Sequence, residues 1–115
     1  MKVFRSVFRE QKTRLQIDWL TYTDELILEE VAGANDGLEP GAIAAETERS
    51  EEYVADRCRQ LALRGLLDED EQREAKSRQY RITRHGEQYL ADELDADDLE
   101  EIGGLPATNN RIVTD

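Results

Sequence analysis

The side chains with the most chemistry to offer lie between Arg49 and Gln60. Arg57 carries a planar fork that can donate to guanine O6 and N7, or to a phosphate. Glu52 can accept from cytosine N4, and Tyr53 can meet a phosphate oxygen or a thymine methyl. Arg49, Ser50, Asp56 and Gln60 add donors and acceptors around them, and further on Lys76 and Arg78 can clamp phosphates. These nine residues are the candidate nucleic-acid contacts. The plainer reading is a solvated helix face and a hairpin whose arginines pair with carboxylates. Catalytic chemistry has no comparable set. His85, the only histidine, stands beside Arg84 without a nearby Cys, Ser or carboxylate cluster at ligand spacing. Neither an enzyme nor a metal or other cofactor is expected.

The elements that must position these residues follow from spacing. Val54, Cys58 and Leu61, with Ala62 beside them, form a narrow apolar stripe on a helix over about 50–64. Ser50 can cap it, Glu51 and Glu52 suit its positive start, and Gly65 can end it in a left-handed turn. Glu51, Glu52, Tyr53, Asp56, Arg57, Arg59 and Gln60 are left facing outward. Upstream, Thr21 and Asp24 read as a capping box for a helix burying Leu26, Ile27, Leu28 and Val31. Gly33–Gly37 is a strong turn signal, and Pro40 suits the first position of a second helix through Ile43, Ala44 and Ala45. Thr47-Glu48-Arg49 is the turn before the reading helix.

Downstream, Asp68–Glu71 is a run of four acids, and Gln79–Thr83 reads as a strand. A hairpin over about 68–82 sets carboxylates across from arginines, which favours pairing. Thr83 can cap a last helix from Arg84 to about Leu94, with Tyr89, Leu90 and Leu94 inward. The order predicts an α+β, mainly helical fold. It is a winged helix-turn-helix with a two-stranded wing, an N-terminal extension and a C-terminal helix.

At 115 residues the chain is one domain. Residues 1–18 read as a basic amphipathic extension, 19–99 as the winged helix-turn-helix domain and 100–115 as an acidic, disordered tail. Lys2, Arg5, Arg9, Lys12 and Arg14 oppose Glu10 alone within 1–16, a net of +4, leaving −16 on the other 99 residues. Val3, Phe4, Val7 and Phe8 have helical spacing, while Leu15, Ile17 and Trp19 alternate as a strand does. That segment is either a basic arm that touches DNA or a helix whose apolar face packs on the domain or on a second copy; a homodimer is expected, formed through residues 1–18 or through the C-terminal helix. A net charge of −12, with three lysines among 15 basic residues, is the balance of proteins that work in concentrated salt. The lone Cys58 reads as a small packed hydrophobe. No membrane span or signal peptide is evident, and a cytoplasmic location is expected.

A family likeness gathers these pieces. Trp19-Leu-Thr-x-x-Asp24, Ile27-Leu28, Pro40-x-x-Ile43-Ala44, Arg49-Ser-x-x-Tyr-Val54 and Arg57-Cys58 open it. Leu61, Gly65-Leu-Leu67, Tyr80-Arg-Ile-Thr83, Gly86, Tyr89-Leu90 and Glu93-Leu-Asp95 complete it. In that order they resemble the haloarchaeal winged-helix proteins related to the phage phi-H repressor. The likeness implies a repressor-type, sequence-specific binder of double-stranded DNA in a high-salt cytoplasm, with helix 50–64 in the major groove and the wing on the backbone. A winged-helix protein–protein interaction module of a transcription or chromatin assembly is the competing expectation, because so acidic a chain lacks the phosphate attraction that normally dominates nucleic-acid affinity. Any small-molecule effector stays unknown.

Overall fold

Thr21 starts the first helix of the computed structural model, which describes residues 17–71 and 78–103. The Thr21 hydroxyl accepts from the Asp24 amide and the Asp24 carboxylate accepts from the Thr21 amide, each at 3.0 Å. This is the expected capping box, and it opens α1 (Tyr22–Ala32). Ile27, Leu28 and Val31 are fully buried. Leu26 is only half-buried, whereas Thr23, Asp24, Glu25 and Glu29 lie inside. Ahead of α1, Asp18 and Trp19 form a turn rather than continuing a strand. The Leu20 amide donates to the Ile17 carbonyl at 3.1 Å, and the bend puts both apolar residues in the core. The helix expected within 1–16 lies outside the described residues.

Pro40 occupies the first turn of α2 (Pro40–Thr47), and Glu48 leaves it with a left-handed φ of 59°. Ser50 then accepts from the Tyr53 amide at 3.1 Å and caps α3 (Glu51–Leu63). Gly65 ends it at φ 85°, a value that suits glycine. The Gly65 amide donates to Ala62 at 3.1 Å and the Leu66 amide to Leu61 at 3.0 Å, closing the last turn. Leu66 and Leu61, paired by that turn, are both fully buried.

β1 (Leu67–Glu71) and β2 (Arg78–Ile82) run antiparallel, with Leu67 opposite Ile82 and Glu71 opposite Arg78. Leu38 adds an isolated antiparallel rung outside the two strands: it donates to Tyr80 at 3.0 Å and accepts from it at 2.8 Å. One residue after the left-handed Gly37, this rung ties the α1–α2 loop to the wing. Thr83 caps α4 (Arg84–Leu90), where a Cβ on Gly86 would stand 2.4 Å from the Leu66 carbonyl oxygen. Only glycine allows α4 to lie so close to the start of the wing.

The expected helix to Leu94 stops earlier. Asp92 turns left-handed at φ 61°, and Asp95 forms a capping box with Asp98 that starts α5 (Ala96–Glu101). Ile102 is 1% exposed, so the folded chain runs beyond residue 100 to Gly103 rather than loosening there. Two apolar residues, Leu99 and Ile102, give this acid-rich stretch enough to bury. The core joins Ile17, Leu20 and α1 to Ile43, Val54, Cys58, Leu61, Leu66, Tyr80, Tyr89 and Ile102.

Candidate nucleic-acid interface

Helix α3 buries Val54, Cys58 and Leu61 and leaves Glu51, Glu52, Asp56, Arg59, Gln60 and Leu63 exposed. Burial pushes the Cys58 thiol up to about 12, which suits the packed hydrophobe read from the sequence. Small residues bring α2 close beneath: a Cβ on Gly41 would touch the Glu51 carboxylate at 3.4 Å. Beside the C-terminal half of α3 stands the wing. Arg59, Ala62 and Leu63 face Leu67, Asp68, Glu69 and Arg78 across an open groove of about 360 Å³. Leu63 is 80% exposed on the helix side of that groove.

The nine candidate contacts separate by what holds them. Glu52, Asp56 and Gln60 are exposed on the outer face of α3, as their spacing requires. Tyr53 is half-buried. Ser50 is exposed, but its hydroxyl oxygen already accepts from the Tyr53 amide. Arg78 is exposed on β2 and pairs with Glu69 at 3.2 Å. Lys76 lies outside the described residues.

Arg57 departs from expectation. Its Nε and Nη2 donate to the two oxygens of Asp24 at 2.8 and 2.7 Å, and Nη2 also reaches the Trp19 carbonyl at 3.4 Å. Asp24 is 0% exposed and Arg57 only 19%, so the fork is held against α1 and not presented outward. The Asp24 hydrogen bond raises the already high pKa of the guanidinium. The physical reason is registry. Position 57 falls three residues after Val54 and one before Cys58, at the edge of the buried stripe, where a charge needs a partner. Asp24 is that partner, and it also completes the cap of α1. Arg49 is likewise turned inward, donating to the Thr23 hydroxyl and the Thr47 carbonyl, both at 3.1 Å.

The wing realises the expected pairing along diagonals. Arg81 opposes Asp68 in the ladder but bonds Asp70 at 2.7 Å, and Arg78 reaches Glu69 past the Glu71 position. Tyr80 donates to Glu69 at 2.7 Å; burial first, then this bond, raises its pKa. On α3, Arg59 meets Asp56 at 3.4 Å. Arg59, Arg78 and Arg81 therefore each have a carboxylate neighbour, and the exposed surface of α3 and the wing is acid-rich.

Three features had escaped the sequence reading. Arg64 lies 4.7 Å over the Trp19 ring and donates to the Gly103 carbonyl at 2.7 Å, linking the end of α3 to both ends of the described chain. Leu38 bridges to Tyr80 outside the two strands. His85 does have carboxylates at hand: Asp98 at 3.2 Å and Glu101 at 2.9 Å, brought over by the unforeseen α5.

Comparisons with known proteins agree with this architecture. Residues 13–102 match the family model described as the winged helix-turn-helix phage repressor. The chain is 41% identical over 87 residues to the repressor protein of Halobacterium phage phiH, covering 74% of this chain and 94% of that one. Among solved structures, YusO of Bacillus subtilis superposes with a TM-score of 0.58 at 14% identity, over 73% of this chain and 56% of its own. The Streptomyces coelicolor transcriptional regulator PcaV gives 0.56 at 18% identity, over 72% and 57%. This chain thus spans little more than half the length of those two structures, and their likeness concerns the fold.

Proposed function

Since the chain belongs to the winged helix-turn-helix phage repressor family, we propose that it represses transcription by binding duplex DNA as a homodimer in a salt-rich cytoplasm. The observation that carries this reading is α3, capped and packed along one stripe so that Glu52, Asp56 and Gln60 project outward, with the wing beside the C-terminal half of the same helix. A helix so mounted enters the major groove while the wing tracks the backbone. Base edges are then read by Glu52 and Gln60, with Tyr53 at the rim and Ser50 near a phosphate. Asp56 holds Arg59, while Arg49 and Arg57 brace the helix from behind. Arg78 supplies a phosphate contact, and Lys76 is the second cation assigned to the backbone.

No helix among the described residues is long and apolar enough to cross a membrane. We assign no catalytic role: the interface offers hydrogen bonds and charge rather than a nucleophile with its base. Dimerisation is assigned to residues 1–16, whose Val3, Phe4, Val7 and Phe8 need cover. A protein truncated to begin at Ile17 should stay folded and show a monomer mass by light scattering. An unchanged mass would place the interface elsewhere.

The binding itself is tested by mobility shift on total genomic fragments in molar potassium chloride. Retention of a few fragments against excess competitor supports the proposal. No retained fragment, together with a stoichiometric co-purifying protein, would replace it with an interaction module.

A further inference from the structure

We propose that His85, Asp98 and Glu101 form a site for a divalent transition-metal ion of the zinc class. This goes beyond the DNA-binding reading and does not depend on it. His85 lies in the first turn of α4, and Asp98 and Glu101 stand three residues apart on α5, so both carboxylates face the imidazole. The ligand atoms Nε2, Oδ1 and Oε1 all lie within 4.8 Å of one another. Metal–ligand bonds of about 2.0–2.2 Å set neighbouring donors of one coordination shell about 3.0–3.5 Å apart. The Nε2–Oε1 and Nε2–Oδ1 separations of 2.9 and 3.2 Å already approximate such edges. One imidazole with two carboxylates is a donor set for zinc, manganese or cobalt rather than for calcium, which takes oxygen ligands.

The site has a supporting shell. The Asp95 amide donates to the second oxygen of Asp98 at 3.2 Å, and the Asp98 amide returns a bond to Asp95 at 2.9 Å. That reciprocal pair orients Asp98 so that Oδ1 points at His85. The far end of α5 is anchored by buried Ile102 and by the bond from Arg64 to Gly103. Glu101, 65% exposed, leaves the outer side open for entry and for water in the remaining coordination positions.

An ion there joins α4 to α5 by bonds where now the His85 imidazole only stands between two carboxylates. The test is calorimetric titration of zinc into the full chain in molar potassium chloride, which suppresses loose cation binding by the acidic surface. One ion per chain is expected. Glu101→Gln, on an exposed side chain that folding does not require, should weaken it at least tenfold, and His85→Ala likewise. Glu100→Gln, the neighbouring acid outside the trio, should bind as the unaltered protein does. Cobalt bound to the unaltered chain should show visible absorption that Glu101→Gln loses. Absence of saturable binding, or equal weakening by Glu100→Gln and Glu101→Gln, would mean that the trio is an ion pair only.

Discussion

Two sets of arginine–carboxylate pairs, one at the reading helix and one on the wing, use nearly the same atoms with different consequences. Beneath α3, Arg57 grips Asp24 with both arms of its fork where Asp24 has no contact with solvent. On the wing, Arg78–Glu69 and Arg81–Asp70 are about half-exposed on the arginine side. Water screens the second set, so each pair adds about 0–1 kcal/mol and can be exchanged for a phosphate oxygen. The first set has no such alternative. Breaking it strands a charge in the core, a cost of about 3–5 kcal/mol. Burial, more than distance, decides which arginine holds the fold and which is available to a ligand.

Arg57→Ala is the most forceful way to break this comparison. It should destabilise the protein by about 3–5 kcal/mol in urea titration. In conditions where the variant stays folded, it should bind DNA with little change. The reverse result, normal stability with lost binding, would return Arg57 to the DNA. Leu61→Ala supplies the apolar yardstick one turn further along the same stripe, with a loss of about 2–5 kcal/mol from its cavity. If Leu61→Ala were harmless, the stripe would not be the packed side of α3. Arg81→Ala should be the mildest, within about 1 kcal/mol of the unaltered protein by the same titration. A loss as large as that for Arg57 would erase the distinction between the two sets.

Much of the frame was legible because its signals are local. Thr21 with Asp24, Pro40, Ser50 and Gly65 each act within one turn, and each sits where its chemistry predicts. The buried stripe of α3 was legible for the same reason. What escaped depends on encounters between distant segments. Arg57 and Asp24 are 33 residues apart, and outward charge looks like inward charge until its partner is known. The edge position of Arg57, between Val54 and Cys58, was the available clue. Leu38 needed Tyr80 to form its bridge, and His85 needed α5 to gain its carboxylates. The stretch from residue 100 onward reads as a disordered tail because Glu100 and Glu101 close an acid-rich run that starts at Asp92. Two side chains, Leu99 and Ile102, with the Asp95 cap, were sufficient to fold it back.

Arg59, Arg78 and Arg81 already have carboxylate neighbours, and Glu51, Glu52 and Asp56 crowd the start of α3. Such a surface attracts phosphate weakly. A basic protein contacting 6–10 phosphates loses about 10³–10⁵ in affinity over a fourfold rise in salt. On the proposed binding mode, cations taken up between the helix carboxylates and DNA would offset those released from the duplex. Specificity then rests on hydrogen bonds and apolar contact with base edges, which salt screens far less. The decisive measurement is DNA affinity over a tenfold range of potassium chloride. A shallow, flat or positive slope of log affinity against log salt is the expected result. A steep negative slope, like that of a basic repressor, would contradict the account and leave the acidity as a solubility trait.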